Sequence, residues 1–391
     1  MDLRLNQSGS APAIAALLRK HGIEPLDCDG NAELDVAEDD ADPAEVNAAA
    51  REITEILEAS KAELAKDLLA VAARPCVAGQ REFAGFRHRL SRAWKRPLRL
   101  MRTTGAISFE LGAELNAQGR QAAFDEEQVL FDVLMQLHAT GCRTFFEIET
   151  LMRSGLPDGA HARWRSLHET AVTALFISKC GEEAARLYRV HETVHRCRGA
   201  LEYQRHCERL GHEPLLHEEV KAAEEEMSDL LRQLGNSAKR FEAHYGWAAV
   251  LLSKERYGLE AMEKEVELDH WRPYYRLASH NVHPYSRPTG AQLGCASEFG
   301  PLLLAGPSNL GLAEPGHGAC LSLLHVCASF LPHWSSLQLL VLFRALTALV
   351  DRAGDEFLAA HRGLEESAVP AGPRRGVETK VVNIDLSRYS A

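Results

Sequence analysis

Pro157-Asp-Gly-Ala-His-Ala-Arg163-Trp-Arg165-Ser-Leu-His168-Glu169-Thr-Ala-Val-Thr-Ala-Leu-Phe-Ile177 is the stretch that decides the fold class. Proline is tolerated at a first helical turn, where its missing N–H has no intrahelical partner. From there the run to Lys179 meets no further breaker. Its second half, Ala-Val-Thr-Ala-Leu-Phe-Ile, is apolar on every side, as a buried helix is. Arg165 and Glu169 are four residues apart and are expected to pair on one face. A guanidinium and a carboxylate entering a buried helix together form either a structural ion pair or the wall of a site.

Helical patterns continue on both sides. They run from Asp125 to Arg153, from Gly181 to Leu210 and, opened by Pro214, to Leu234. Shorter apolar pieces follow at Tyr245 to Ser253 and Leu259 to Leu268. Two late helices are expected at about Ala319 to Leu331 and Ser335 to Gly363, separated at Pro332-His333. No internal repeat and no run of strands is visible. The expected class is all-α, a multi-helix bundle with an N-terminal helical extension and a long Gly/Pro-rich loop from Ser286 to His317.

The N-terminal 80 residues read as that extension, with a short helix at Ala11 to His21 and a helical pattern from Ala44 to Val71. Between them Glu24 to Glu45 holds Asp27, Asp29, Glu33, Asp35, Glu38, Asp39, Asp40 and Asp42 and no basic residue. Such a block repels itself and reads as a solvated linker, assigned here to residues 24–43. Residues 81–366 form the expected main domain, and 367–391 a flexible tail.

The chain has 391 residues, nine cysteines and a formal net charge of −11. That balance gives no global attraction to nucleic acid or anionic membrane. The cysteines are scattered without a C-x-x-C pair, which suits reduced thiols and a cytoplasmic location. Gly316 to Phe343 lacks Asp, Glu, Lys and Arg, but His317, His325, His333, Ser329, Ser335, Ser336 and Gln338 interrupt it. Two buried helices are expected there rather than a membrane span.

Locally the charge reverses. Arg81 to Arg102 carries eight basic residues against Glu82, with Phe83, Phe86 and Trp94 between them. Phe83, Phe86, Leu90, Trp94 and Leu98 fall at i, i+3/i+4 spacing, as a core stripe does. The wet face, with Arg87, Arg89, Arg92, Lys95, Arg96 and Arg99, is a candidate track for a phosphate backbone.

Chemistry is most readable in Trp271-Arg-Pro-Tyr-Tyr-Arg276-Leu-Ala-Ser-His280-Asn281-Val-His283-Pro284. Arg276 and His283 are seven apart, two helical turns, so both can point one way. An imidazole moves protons near neutral pH, and a guanidinium holds an oxyanion. The alternative is that His283 caps the helix C-terminus. His191-Glu192-Thr-Val-His195 formally matches the zinc-hydrolase motif H-E-x-x-H, with Glu213, Glu218 and Glu219 as conceivable third ligands. The flanking arginines and the lack of a strand to bind an extended peptide favour a solvated helix surface, and no metal or other cofactor is expected.

Leu151-Met-Arg-Ser-Gly-Leu-Pro-Asp-Gly-Ala160, Arg163-Trp-Arg165-Ser-Leu-His-Glu169, Phe86-Arg-His-Arg-Leu90 with Trp94, Tyr275-Arg-Leu-Ala-Ser-His-Asn-Val-His283-Pro and Gly306-Pro-Ser-Asn-Leu-Gly-Leu312 together resemble the domain-of-unknown-function 5677 family, over roughly Arg81 to Leu364. That resemblance implies a bacterial helical protein and assigns no activity. The segment from Arg276 to His283 is also similar to the R-x(4–6)-H signature of HEPN-type domains. Those are helical, often dimeric, and in many cases metal-independent RNases of toxin and phage-defence systems. Two departures stand out: the spacing is at the long end, and Leu277 follows the arginine where a polar residue is usual. This resemblance implies only Arg276 and His283 as catalytic groups. A ribonuclease reading built on it expects Arg165, Glu169, His280 and Asn281 in support and RNA and a second copy of the chain as partners; no membrane partner is expected. A non-catalytic helical scaffold or sensor and the zinc hydrolase are the alternatives.

Overall fold

The structure, a computed structural model, describes residues 51, 61, 65–67, 69–70, 83–252, 257–283, 293–295, 306–334 and 336–368. The acidic run, most of the Gly/Pro-rich segment and the C-terminal tail lie outside the described residues. The chain divides into two compact units, Met1–Arg89 and Leu90–Ala391. In the first, residues 83–89 are helical, and Phe83 stacks on Phe86 with ring centroids 6.2 Å apart.

Among the described residues the second unit holds twelve α-helices: α1 (Lys95–Asp125), α2 (Val129–Arg153), α3 (Pro157–Cys180), α4 (Glu182–Val190), α5 (Glu192–His206), α6 (His217–Leu234), α7 (Ala238–Phe241), α8 (Gly246–Leu251), α9 (Leu259–Glu265), α10 (Arg272–Ser279), α11 (Ala313–Ala328) and α12 (Leu337–Ala368). There is no strand among the described residues, so the protein is all-α. No helix among them is long and apolar enough to cross a membrane. The seven described cysteines are all free thiols.

Helices α1, α2, α3, α11 and α12 build the body, with α2 on α3 and α11 on α3, α12, α2 and α1. Its core follows the expected stripe. Leu90, Trp94, Leu98 and Met101 are buried, and Trp94 leans on Phe357 of α12 at 6.1 Å. Fully burying a side chain of this kind contributes about 1.5–3 kcal/mol. The N-terminus of α2 is capped from a distance: the Glu182 carboxylate of α4 accepts from the N–H groups of Val129 and Leu130, both at 3.0 Å. Those are donors the helix itself leaves without partners.

Two of the sequence motifs meet in space. Ser308 N–H donates to the Gly155 carbonyl (2.7 Å), and Trp94 Nε1 donates to the Asn309 carbonyl (2.9 Å). Gly155-Leu-Pro and Gly306-Pro-Ser-Asn therefore lock together beside the first turn of α3. Gly311 has φ +74°, and a Cβ there would sit 2.2 Å from the Leu293 carbonyl oxygen.

The boundaries depart from expectation in three places. The segment from Gly181 to Leu210 is not one helix, because it turns at His191, where α4 gives way to α5. Helix α10, expected to carry both Arg276 and His283, ends at Ser279. Helix α11 starts at Ala313, inside the segment expected to be loop. Pro315 sits in its first turn, where proline is tolerated. Gly316 and Gly318 are accepted because a Cβ would strike Phe357 at 2.4 Å and Trp164 at 2.7 Å. Close packing outweighs their low helix propensity of about 1 kcal/mol each.

Candidate functional site

Helix α10 is short, and its inward face decides its placement. Tyr275 and Ala278 are buried, whereas Tyr274, Arg276 and Leu277 are exposed. From below, α3 and α9 hold it. Tyr275 O–H donates to Glu169 Oε1 at 2.5 Å, and Arg165 Nη2 reaches the same oxygen at 3.2 Å. The Arg165 and Arg272 guanidinium groups lie over the Tyr275 ring at 4.9 Å and 5.1 Å. Cations on an aromatic face in a desolvated place are favourable.

Beside this lies a second ionic contact. Glu263 of α9 is fully buried, its Oε1 2.9 Å from His168 Nε2 and its Oε2 paired with Arg272. The Arg272 pair is a charge contact rather than an aligned hydrogen bond, since Arg272 Nη2 and Glu263 Oε2 have no directional partner. Burial, then the hydrogen bond and charge of Glu169, push the Tyr275 phenol up to about 12, and burial chiefly raises Tyr245 as well. Both stay neutral phenols at physiological pH.

The expected pairing of Arg165 with Glu169 is present, and both bind α10 through Tyr275. Neither is bonded to Arg276, which faces solvent. Beyond Ser279 the backbone bonds tighten to three-residue turns at His280, Asn281 and Val282 before His283 N–H reaches the Ser279 carbonyl at 3.0 Å. Arg276 and His283 are thus both exposed but not on one helix, because the chain leaves α geometry between them. His280 is exposed and Asn281 half-buried. Among the described residues two cavities stand out, of about 860 Å³ and about 480 Å³, and Arg276 and His283 line neither.

The basic candidates are all exposed: Arg87 and Arg89 in the first unit, Arg92, Lys95, Arg96 and Arg99 in the second. Arg96 comes within 3.9 Å of Glu356, and Arg102 pairs with Glu149 at 3.0 Å.

The H-E-x-x-H segment crosses a helix boundary. His191 lies at the α4–α5 break, buried, with Nε2 donating to the carbonyls of Phe241 (2.9 Å) and Ala243 (3.1 Å). Burial, then the neighbouring His195, lowers its pKa. Of the conceivable third ligands, Glu219 caps α6 by accepting from Leu216 N–H. Among the described residues no group of three or more ligand side chains converges as a metal site needs.

Sequence reasoning missed Glu263, His168 and Arg272. The signal was present: Leu259, Met262 and Glu263 are the buried side of α9. A carboxylate in the i+4 place of an apolar stripe requires a buried partner.

No curated protein and no solved structure matches the chain with significance. Residues 131–299, from within α2 through α10, match the model of the family of unknown function DUF5677.

Proposed function

We propose that the outward face of α10, with Arg276 and the following His283, is a metal-independent endoribonuclease site of the HEPN-like kind, in a toxin or phage-defence setting. The observation that carries this reading is the clamp beneath α10. Tyr275 is held by Glu169 and Arg272 by Glu263, while Arg276, next to Tyr275, points outward. Buried ionic contacts add little net stability over apolar packing, so their use under one short helix fits a need to hold that helix still. His283 takes the proton from an RNA 2′-hydroxyl, and the oxygen attacks the adjacent phosphorus in line. Arg276 neutralises charge on the phosphorane. The P–O5′ bond breaks, the 5′-oxygen takes a proton from water, and a 2′,3′-cyclic phosphate end remains. The exposed basic residues Arg92, Lys95, Arg96 and Arg99 hold the strand, and His280 and Asn281 contact the phosphate. Exposed Tyr274, Leu277 and Val282 beside the site suit stacked bases or a second copy of the chain.

The test is incubation with total RNA in chelator, wild type beside His283→Ala and Arg276→Lys. Cleavage to cyclic-phosphate ends, lost in both variants with unchanged melting, supports the reading. An inactive parent ends it.

A second reading, a non-catalytic scaffold or sensor, is favoured by one observation: Arg276 and His283 lie outside both cavities. It is the reading left standing if the parent protein does not cleave RNA.

A further inference from the structure

The smaller cavity, about 480 Å³, lies between α3, the 271–274 stretch, α11 and α12. Its size is within the usual range for small-molecule sites. One side is aromatic. Trp164 and Trp271 meet edge to face at 6.4 Å, and Tyr274 follows at 5.5 Å from Trp271. The other side is acidic: Asp351 and Asp355, one turn apart on α12, and Glu314 on the first turn of α11. No ion pair holds any of these three carboxylates among the described residues. His317 reaches between the two aspartates because Gly354 has no side chain; a Cβ there would lie 2.5 Å from its Nε2.

His161 is part of the same wall and points to a ligand independently. It is 1% exposed, stacked on Trp164 at 5.3 Å, and its Nδ1 has no hydrogen-bond partner. Buried polar atoms without a partner are rare and call for an explanation. Burial holds His161 down at about 4 and also lowers His317, so at neutral pH neither imidazole answers the negative charge. Aromatic faces opposite unpaired carboxylates form the arrangement that attracts an organic cation. Asp351 and Asp355 are separated along the helix, which suits a ligand with more than one ammonium group and an apolar stem between them.

We infer that this cavity binds a small linear polyamine, its ammonium groups on Asp351, Asp355 and Glu314 and its methylene chain against Trp271 and Tyr274. The site shares Tyr274 with the ribonuclease reading but not its catalytic groups, since neither Arg276 nor His283 lines it.

Titration calorimetry with spermidine on the full chain tests this. Saturable one-to-one binding is expected. Asp351→Asn/Asp355→Asn, which removes two of the three carboxylates, should weaken it by about tenfold or more. Trp271→Ala should weaken it too. Glu208→Gln/Glu224→Gln, which removes two exposed carboxylates elsewhere, should leave it unchanged. Because Asp351 and Asp355 are exposed, their variants should melt with the parent; if the double variant does not, Asp351→Asn alone serves. Absence of saturable binding overturns the assignment, as does equal weakening by the Glu208/Glu224 pair. Binding of a lysine-rich peptide with no binding of spermidine also overturns it, in favour of a protein partner.

Discussion

Glu263 is the residue whose removal tests the clamp most directly. It is fully buried, with His168 on one oxygen and Arg272 on the other. Glu263→Gln keeps the shape and removes the charge. Arg272, whose side chain is 19% exposed, is then left as a nearly buried cation facing a neutral amide. Breaking a buried pair by removing one partner costs about 3–5 kcal/mol. Domains of 150–250 residues lose about 2–4 °C in Tm per kcal/mol. The second unit runs from Leu90 to Ala391, so the lower slope applies. The expected drop is therefore about 6–10 °C in scanning calorimetry. Glu263→Met with Arg272→Met, which removes both charges, should recover most of it, because apolar replacement of a buried pair is often neutral. Hydrogen exchange should place the single variant's loosening at 272–279. A drop under about 2 °C, or a double variant as damaged as the sum of both singles, refutes the idea that this contact fixes α10.

Three further outcomes are expected. His138 and His161 are buried, and burial holds both near 4 against an ordinary imidazole value of 6.5. A folded-state pKa below the unfolded one means that stability is complete above about pH 6.5 and is lost as pH falls toward 4, by up to about 3 kcal/mol per group; urea midpoints across that window check it, and His138→Gln should flatten the slope. Glu182→Ala removes the cap from the α2 N-terminus and should lower stability by about 1 kcal/mol in the same assay. Gly311→Ala should cost more than the roughly 1 kcal/mol of a left-handed backbone alone, since its Cβ meets the Leu293 carbonyl; an unchanged Tm contradicts that geometry.

The all-α class was legible because it rests on local signals. Pro157 at a first turn, the apolar run to Ile177 and the stripe through Leu90, Trp94 and Leu98 each report on local helical periodicity, and each is buried where that periodicity puts it. What was not legible depends on contacts between segments far apart in sequence. Gly316 and Gly318 read as loop because propensity sees only their own backbone, whereas Trp164 and Phe357 decide that they are helical. Arg165 and Glu169 were found as a pair because four residues separate them. Their partner Tyr275 lies 106 residues from Glu169, and no spacing rule reaches that far. The same limit hid the smaller cavity. Asp351-Arg-Ala-Gly354-Asp355 is unremarkable as a solvated helix face, and only its position opposite Trp164 and Trp271 gives the carboxylates something to act on. Charge on one helix is legible as charge. Whether it is a wet surface, a clamp or a ligand site is set by the helix opposite. This is why the Glu263 and Asp351/Asp355 variants should behave oppositely: the buried carboxylate is needed for Tm, and the exposed pair for ligand binding alone.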